Sequence, residues 1–551
     1  MAILDNTQID ELKRREEEEL ASILSQKYGA KYLDLTRVTI NSDALRLIPE
    51  KEARTAEVAA FDIVGRKVSL AMRSPQGPRI PAIKALLAEQ NMTTEAYMVS
   101  TRSLEAAWKR YKDLSFAIKT TEGSIDISSE DLVELIESIK TVADIQKSIS
   151  GVEGLEKAHR ISRIVEAVMA GGFAVEASDI HIEPEQMSVR LRYRLDGVLH
   201  DVARFDHVTH QLLLSRVKLL SGLKLNLKDR AQDGRFSVVL KGEEIEVRVS
   251  VIPGAFGETV VMRLLNPEAI SVPFEKLGME ATLAAIVEKA IRSPNGMLLN
   301  TGPTGSGKTT TLYACLKKIN SPDVKIITIE DPIEYHVVGI VQTQVEKNYT
   351  FLSGLRSALR QDPDVIMIGE IRDEEVAKTA IDAALTGHFV FSTIHTNNAA
   401  GTFPRLADLG VDPKVFGSAV NIAMAQRLVR VLCSNCKKKV PLAGAQKEMV
   451  DRVVAGLRNK TVIPADVTSV YEPVGCAECN NTGYKGRIGV FEALILDDEL
   501  DKLLRTLPSE SDIQAVQKKR ELLTMIEDGV IKALTGVTTL AELDRVVELD
   551  A

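Results

Sequence analysis

Several short stretches of the chain alternate strictly between apolar and polar residues, the pattern of a strand with one buried face. Residues 189–195 place a valine, two leucines and a tyrosine on one side and three arginines on the other. Stretches 247–251 and 260–264 are similar and also carry arginines. With a helical pattern at 161–170, they predict an α+β domain over residues 156–268. The strand face that carries Arg190 and Arg192 is interpreted as exposed to water.

A second group of apolar runs is continuous rather than alternating, as expected of strands buried on both faces. These runs cover residues 296–301, 325–329, 365–368 and 388–393. Helical patterns separate them, which predicts a mostly parallel, right-handed α/β sheet over residues 269–430. A ligand of such a sheet binds at the carboxyl ends of its strands.

The remaining segments are assigned from their composition and periodicity. Residues 1–112 predict a small α/β module with a hairpin that turns at Gly65–Arg66, and the polar stretch 113–155 is interpreted as a linker. Residues 431–490 contain four of the five cysteines, and residues 491–551 have helical patterns.

Charge and apolar content limit the partners of the chain. Its formal net charge is −8 and only 4% of its 551 residues are aromatic, so neither a basic field nor stacking positions favour nucleic acid. No run of 18 apolar residues and no signal peptide is found. We therefore expect a cytoplasmic protein that reaches a membrane only through partners.

Residues 302–309 follow the spacing Gly, four residues, Gly-Lys-Thr of a phosphate-binding loop. Glycines let the backbone N–H groups approach phosphate oxygens, and the following helix adds its positive end. Lys308 can reach the β- and γ-phosphates of ATP, and the Thr309 hydroxyl can bind Mg²⁺. A Gly/Ser/Thr-rich surface turn is the alternative, which the strand before and the helix after disfavour. The candidate nucleotide-binding residues are Gly302, Pro303, Thr304, Gly305, Ser306, Gly307, Lys308, Thr309 and Thr310.

Carboxylates follow two of the predicted strands. Glu330, Asp331 and Glu334 lie together after the second strand, where Mg²⁺ and an attacking water would explain them. Glu370 follows the apolar run 365–368 after Gly369, an arrangement that presents a carboxylate to Mg²⁺ or its waters. The alternative for residues 330–334 is an ordinary acidic loop.

Two further pairs of residues have both a functional and a structural interpretation. Arg356 and Arg360 lie four residues apart on one helix face, where they bind phosphate or form surface salt bridges. His388 and His395 bracket a predicted strand, where they sense the γ-phosphate or fill a structural role.

The cysteines form two Cys-x-x-Cys pairs, Cys433 with Cys436 and Cys476 with Cys479. Four thiolates are enough for a closed, structural Zn²⁺ site, although the intervening residues 437–475 exceed the usual spacing. A redox dithiol and incidental cysteines are the alternatives. Cys315 is predicted to belong to the core.

Taken together, these motifs resemble the secretion ATPases of the type II secretion and type IV pilus superfamily. The resemblance is continuous from about residue 156 to residue 551 and only loose over the first 112 residues. It rests on both cysteine pairs and on residues 302–309, 329–335, 361–373, 386–397, 425–430 and 483–487.

The resemblance implies a RecA-like P-loop core and a PAS-like N-terminal ATPase-associated domain, with ATP bound between them in a ring of six subunits. It implies that Arg248 and Arg263 sense phosphate from the domain at 156–268, unless they merely pair with glutamates such as Glu244 or Glu246. It further implies that Glu330 positions the attacking water. The arginines it assigns to the P-loop domain are Arg356, Arg360 and Arg372.

Retraction motors of the same superfamily lack the cysteine insert and the long N-terminal module, so this chain is similar to an extension or secretion motor. We expect a motor of type IV pilus assembly. Its expected partners are an inner-membrane platform protein and cytoplasmic assembly proteins, with the motor peripheral at the inner face of that membrane. The alternatives are a type II secretion ATPase and, from a different class, a nucleic-acid translocase on a RecA-like core.

Overall fold

The computed structural model divides the chain into two compact units, residues 1–132 with 149–166, and residues 133–148 with 167–551. The residues that it describes are 6–38, 40–45, 47–64, 66–89, 92–113, 118–119, 125–126, 129–151, 157–240, 243–265 and 271–549.

The first unit contains a four-stranded sheet in the order β1-β4-β3-β2. Its strands are β1 (Lys31–Tyr32), β2 (Val58–Val64), β3 (Lys67–Met72) and β4 (Thr93–Met98). The helices are Asn6–Tyr28, Ser42–Leu45, Glu50–Ala56, Ile80–Glu89 and Thr101–Lys109. Strands β2 and β3 form the predicted hairpin, whose turn residue Gly65 lies outside the described residues.

The predicted linker 113–155 includes several residues outside the described part of the chain. The described portion contains the short pair β5 (Ile118–Lys119) and β6 (Ile125–Asp126) and the helices Ser129–Ser138 and Val142–Ser150. The assignment of the whole stretch as a linker stays a prediction.

Within the second unit, an antiparallel six-stranded sheet has the order β10-β11-β12-β7-β8-β9. The helix His207–Leu220 accompanies it, together with residues 167–174 of the helix Lys157–Ala174. The valines at positions 247, 249 and 251 are almost fully buried, so their alternation with arginine and serine produces one packed and one polar face. The strands are β7 (Asp179–Pro184), β8 (Val189–Leu195), β9 (Val198–Phe205), β10 (Gln232–Leu240), β11 (Glu243–Gly254) and β12 (Gly257–Leu265).

The core of the same unit is a seven-stranded sheet in the order β15-β14-β16-β17-β13-β18-β21. All neighbouring pairs are parallel except β18 with β21. The four predicted strands are confirmed to within one residue; β15, β18 and β21 were not predicted. The strands are β13 (Gly296–Thr301), β14 (Ile326–Glu330), β15 (Val341–Gln344), β16 (Val365–Ile368), β17 (Phe389–Ile394), β18 (Val420–Leu432) and β21 (Tyr484–Ile495).

Helices connect the parallel strands and bury their apolar faces against the sheet. The helix Lys308–Ile319 follows β13, and its residues Leu312, Cys315 and Leu316 are buried, as expected for Cys315. The other helices of the core are Ala281–Ala290, Phe351–Ala358, Glu374–Leu385, Thr402–Asp408 and Phe416–Ala419.

The cysteine-containing insert leaves and rejoins the sheet at neighbouring points, because β18 pairs with β21. It holds a two-stranded ladder of β19 (Lys438–Pro441) with β20 (Ser469–Glu472) and the helix Gly444–Gly456. Strand β21 continues past residue 490, the predicted end of the insert, so residues 484–490 belong to the core sheet.

The chain ends in helices, as its pattern predicts. They are Asp498–Leu504, Glu510–Gln517, Met525–Leu534 and Leu540–Asp544. Among the described residues, no helix combines the length and the apolar character that crossing a bilayer requires.

Candidate functional site

The phosphate-binding loop connects β13 to the helix Lys308–Ile319. Gly302 and Gly307 have φ angles of +145° and +85°, which side-chain-bearing residues rarely adopt. A Cβ on Gly302 would lie 2.5 Å from the carbonyl oxygen of Gln426 on β18. Glycine is therefore required twice over at Gly302, by conformation and by the closeness of the neighbouring strand.

The polar groups of this loop suit an anion. Lys308 Nζ donates to the carbonyls of Gly302 and Pro303, at 2.8 and 3.1 Å, and burial lowers the pKa of its ammonium group. The hydroxyl of Ser306 is buried and has no hydrogen-bond partner among the described residues. The first N–H groups of the following helix also lack intrahelical acceptors. A nucleotide's phosphates would supply the missing partners, so the residues present fit ATP.

Strand β18, which pairs with β13, lies against the phosphate-binding loop 302–309. Gln426, which is buried, accepts hydrogen bonds from Asn300 Nδ2 (3.0 Å) and Thr311 Oγ1 (2.8 Å) through Oε1. Arg427 donates from Nη1 to the Gln426 carbonyl (3.1 Å) and from Nη2 to the Asn397 carbonyl (2.6 Å). The sequence motif 425–430 included both residues, but their function was not predicted.

Glu370 lies just beyond the carboxyl end of β16, between Arg372 and His395. Arg372 forms an ion pair with one of its carboxylate oxygens, and His395 Nε2 lies 3.0 Å from the other. Burial opposes ionisation, but these two neighbours outweigh it and hold the pKa of Glu370 below its usual value. The carboxylate is thus ionised at neutral pH, as a Mg²⁺ ligand must be.

Glu330, at the end of β14, is 2% exposed and is surrounded by donors. The Tyr313 hydroxyl donates to one carboxylate oxygen, and Thr328 Oγ1 (2.5 Å) and Gln342 Nε2 (3.3 Å) donate to the other. Burial raises the pKa of Glu330 in spite of these hydrogen bonds. A carboxylate with a raised pKa is a better proton acceptor than an exposed one, which suits a general base.

Arginines of the six-stranded sheet form a row across its polar face. Arg235, Arg248 and Arg263 occupy directly paired positions on β10, β11 and β12, and Arg263 in turn pairs with Asp179 on β7. Each has an acidic neighbour: Arg248 Nε lies 2.9 Å from Glu246, Arg235 lies 3.7 Å from the same carboxylate, and Arg263 Nε lies 2.9 Å from Asp179. The expected alternative of pairing with Glu246 therefore holds for Arg248 in this conformation.

A cleft of about 1030 Å³ separates this row of arginines from the loop that follows Glu330. Residues 332–336 and Gln344 line its other wall. Arg248 crosses the cleft, because Nη2 donates to the Ile333 carbonyl at 2.9 Å and Nη1 lies 3.7 Å from Glu334. The arginine domain and the core sheet therefore meet at the predicted acidic loop, while the phosphate loop does not line this cleft.

Not every predicted site residue lies at the phosphate loop. His395 and His388 are at opposite ends of β17, and only His395 is at the carboxyl end, where Thr301 ends β13. His388 Nδ1 lies 3.2 Å from the Ala383 carbonyl, a structural contact at the amino end. The expected role of His388 in γ-phosphate sensing has no support in this geometry.

Arg356 and Arg360 are both exposed, and the chain does not bring Arg360 to the loop. Arg360 Nη1 donates to the Arg356 carbonyl at 2.8 Å, and the neighbouring Gln361 carbonyl accepts from Lys325 at the amino end of β14. A role for this arginine in binding nucleotide would require the site of a neighbouring subunit.

The four paired cysteines converge into one cluster. Their sulfur atoms all lie within 4.8 Å of one another, and the Cys433–Cys476, Cys436–Cys479 and Cys476–Cys479 distances are 3.8, 3.8 and 3.7 Å. Tetrahedral zinc with Zn–S bonds of about 2.3 Å requires sulfur separations of about 3.8 Å. The geometry therefore fits zinc and leaves no position open for catalysis.

Backbone donors favour the thiolate form of Cys479, whereas burial raises the pKa of Cys476 to about 11. The N–H groups of Cys476 and Gly483 donate to Cys479 Sγ, each at 3.2 Å. Burial works against ionisation of Cys479, but these donors lower its pKa to about 7. Metal binding by thiolates is pH-dependent, and a low pKa reduces the cost of losing the proton.

Comparison with known proteins agrees with this geometry. A family model described as Type II/IV secretion system protein matches residues 154–545. The Type II secretion system protein E of Aeromonas hydrophila is 42% identical over 392 residues, or 71% of this chain and 76% of that protein. The Type IV pilus assembly ATPase PilB of Myxococcus xanthus is 35% identical over 535 residues, or 96% of this chain and 91% of that protein.

A solved structure with a similar fold is the X-ray structure of the Yersinia pseudotuberculosis ATPase DotB. Its TM-score is 0.51 at 20% identity, and the match covers 72% of this chain and 95% of that one. This likeness shows the fold alone.

A phosphate-binding loop on a parallel sheet, in a chain that also carries a row of arginines on a second sheet, is typical of a nucleotide-hydrolysing protein. The chain belongs to the Type II/IV secretion system protein family, and like other members of that family it is an ATPase.

Proposed function

We propose that this chain is the motor that hydrolyses ATP to power assembly of a type IV pilus from the inner membrane. The observation that carries the proposal is the extent of similarity to the Myxococcus xanthus pilus assembly ATPase. That match spans 96% of this chain and therefore includes most of its N-terminal unit, whereas the match to the Aeromonas hydrophila secretion protein spans 71%. A module for docking onto the membrane machine would be expected in such an additional part.

ATP would bind with its phosphates in the loop 302–309. Lys308 would exchange its two carbonyl partners for phosphate oxygens, which are stronger acceptors because they are charged. Thr309 and Glu370 are the proposed ligands of Mg²⁺, which neutralises charge that develops between the β- and γ-phosphates. His395 and Arg372 hold Glu370 in position for this role.

Glu330 is the proposed base that positions the attacking water. In the present conformation it is buried and fully engaged with Tyr313, Thr328 and Gln342, so its carboxylate must become accessible when nucleotide binds. Arg248 and Arg263 would stabilise the transferring phosphate from the facing domain. Because they belong to another domain, their approach would couple hydrolysis to domain movement.

We further propose that six copies form a ring and that the four cysteines hold a structural zinc ion. The exposed Arg356 and Arg360 support the ring, since a neighbouring subunit would give them a nucleotide to contact. The motor would act peripherally at the inner face of the membrane. An inner-membrane platform protein and cytoplasmic assembly proteins are its proposed partners.

Use in type II secretion is the second candidate, and one observation favours it. The relative named for that system has the higher identity, 42% over 392 residues against 35% over 535 residues. Both candidates are ATP-hydrolysing motors, so the nucleotide chemistry does not separate them.

Deletion of the gene in its own host tests the proposal. Loss of surface pili, restored by the parent gene but not by Lys308→Ala, is the expected result. Normal pili together with the accumulation of unsecreted exoproteins in the periplasm would instead assign the motor to type II secretion.

A further inference from the structure

Arg427 is a second cation beside the phosphate loop. A Cβ placed on Gly302 would lie 3.2 Å from Arg427 Nη1, so the guanidinium group packs directly against the first glycine of the loop. Burial lowers the pKa of Lys308, and the charge of Arg427 lowers it further, so the two positive charges lie near each other. Arg427 lies on β18, the strand beside β13. It is two residues beyond the partner of Thr301, so it lies at the carboxyl end of β13, where nucleotides bind.

The charge of Arg427 is not matched by a nearby carboxylate. Its hydrogen bonds go to two backbone carbonyls, those of Gln426 and Asn397, and it has no ion pair within the described part of the chain. Glu492 acts on it electrostatically but forms no ion pair with it among the described residues, and the Glu492 carboxylate accepts hydrogen bonds from the backbone N–H groups of Ala399 and Met525. Two of the five guanidinium donors are therefore used, both on neutral groups.

A half-buried guanidinium without a direct ion-pair partner is costly unless an anion contacts it. Near the loop, Glu370 is already paired with Arg372, so it does not neutralise Arg427. Arginine's planar group donates two parallel hydrogen bonds, which match the oxygen atoms of a phosphate. The polyphosphate chain of a nucleotide is the anion that this part of the molecule is built to hold.

We propose that Arg427 is a further ligand of the nucleotide phosphates, approaching from strand β18 rather than from the sheet of Arg248 and Arg263. This inference rests on the proposed function and adds a residue of the core sheet itself to its site. Arg427 also contacts the carbonyl of Asn397, two residues after His395, so a shift of its guanidinium on phosphate binding would reach the loop after β17, whose His395 contacts Glu370.

The test uses the purified full-length chain and its variants Arg427→Gln and Arg427→Lys. The dissociation constants of ATP, inorganic tripolyphosphate and adenosine are measured, together with the melting temperature without ligand. We expect Arg427→Gln to weaken ATP and tripolyphosphate at least tenfold, to leave adenosine unchanged and to melt like the parent. Arg427→Lys retains the charge but not the two parallel donors, so it is expected to bind ATP more weakly than the parent and more tightly than Arg427→Gln. The matched control is Arg452→Gln on the exposed face of the helix Gly444–Gly456.

Two results would overturn the inference while the proposed function stands. One is an Arg427→Gln variant that binds ATP and tripolyphosphate as the parent does. The other is equal weakening in Arg427→Gln and Arg427→Lys together with a lower melting temperature, which would make Arg427 a structural tie between β18 and residue Asn397. A parent chain that binds neither ATP nor tripolyphosphate would overturn the proposed function itself.

Discussion

Arg248 on β11 lies directly opposite Arg263 on β12, because these two residues are paired in the antiparallel register of the two strands. Like charges in directly opposed positions destabilise a sheet. Here Glu246 and Asp179 offset part of the repulsion, and the open cleft beside them gives access to a further anion. The pair is thus better explained as part of a phosphate site than as a stabilising feature of the sheet.

Substitution of Arg263 is expected to affect turnover more than folding. In Arg263→Ala, Asp179 keeps Arg194 at 3.2 Å and the Ser178 hydroxyl at 2.9 Å, so no buried carboxylate is left unpaired. We expect ATP turnover to fall at least tenfold, which corresponds to about 1.4 kcal/mol of transition-state stabilisation. Steady-state ATPase assays and thermal melting check this.

The control for this prediction is Arg204→Ala in the same sheet, where Arg204 forms an exposed pair with Glu185. Its turnover is expected to equal that of the parent. If Arg248→Ala and Arg263→Ala both hydrolyse ATP at the parent rate, at concentrations where the ring assembles, the proposed arginine clamp is wrong.

Removal of the Tyr313 hydroxyl is expected to shift the pH dependence of hydrolysis. Burial raises the pKa of Glu330, and hydrogen bonds such as the one from Tyr313 counteract that rise. Tyr313→Phe therefore raises the pKa of Glu330 further. If Glu330 acts as a base, it is protonated at a higher pH in this variant, and activity is lost sooner as the pH falls. We expect the acidic limb of the kcat profile to move toward neutral pH by about one unit, the effect of a hydrogen bond worth about 1.4 kcal/mol.

The matched control is Tyr193→Phe, which removes a buried hydroxyl that donates to the Val168 carbonyl in the other domain. Its pH profile should coincide with that of the parent even if its stability falls. An acidic limb that does not move in Tyr313→Phe would contradict the role of Glu330 as the base.

Zinc is expected at about one ion per chain, with Cys476→Ser losing it. Because metal binding contributes folding free energy, we expect the melting temperature of this variant to fall by at least about 5 °C. Elemental analysis and calorimetry measure both effects. Cys315→Ala is the control, since Cys315 is buried in the helix Lys308–Ile319 away from the cluster, and it should retain stoichiometric metal. Equal metal content in the two variants would refute the site.

Two variants separate nucleotide binding from hydrolysis. Lys308→Ala removes a charge-assisted contact worth about 1.5–3 kcal/mol and is expected to weaken ATP binding and abolish turnover. Glu370→Gln keeps the phosphate loop intact and is expected to bind ATP while losing turnover by at least a hundredfold. A fluorescent ATP analogue and a phosphate-release assay distinguish these cases. Turnover at the parent rate in either variant would contradict the proposed site.

The buried parallel strands were predictable because a strand covered on both faces is a continuous apolar run. Strand β18 was not, because it contains Asn421 and Gln426, whose polarity disguises a buried strand. Both are satisfied by distant groups: Asn421 accepts from the Met297 N–H, and Gln426 accepts from Asn300 and Thr311. Such partners lie more than 100 positions away, so local periodicity carries no sign of them.

In the candidate site too, local features were predictable from the sequence and contacts between distant segments were not. The phosphate loop follows from spacing alone, because its geometry is local. The direction of β17 was enough to predict that only His395 lies near the nucleotide site. His388 precedes the strand, whereas His395 follows it, at the carboxyl end where ligands bind. The approach of Arg427 to Gly302 depends on how β18 pairs with β13, and the sequence motif marked the residue without its contact. The roles assigned to Glu330, Arg248 and Arg263 stay predictions.

The β18–β21 ladder also bears on how the cysteine insert arose. Leu432 pairs with Tyr484, and the Cys433 N–H donates to the Gly483 carbonyl at 2.9 Å, so the insert grows from the closed end of a hairpin. Lengthening a loop whose ends are already joined costs little, about 0.6 kcal/mol for each doubling. Residues 437–475 could therefore expand or contract during evolution while the register of the motor's sheet stayed the same, and they are a natural place to graft a foreign segment.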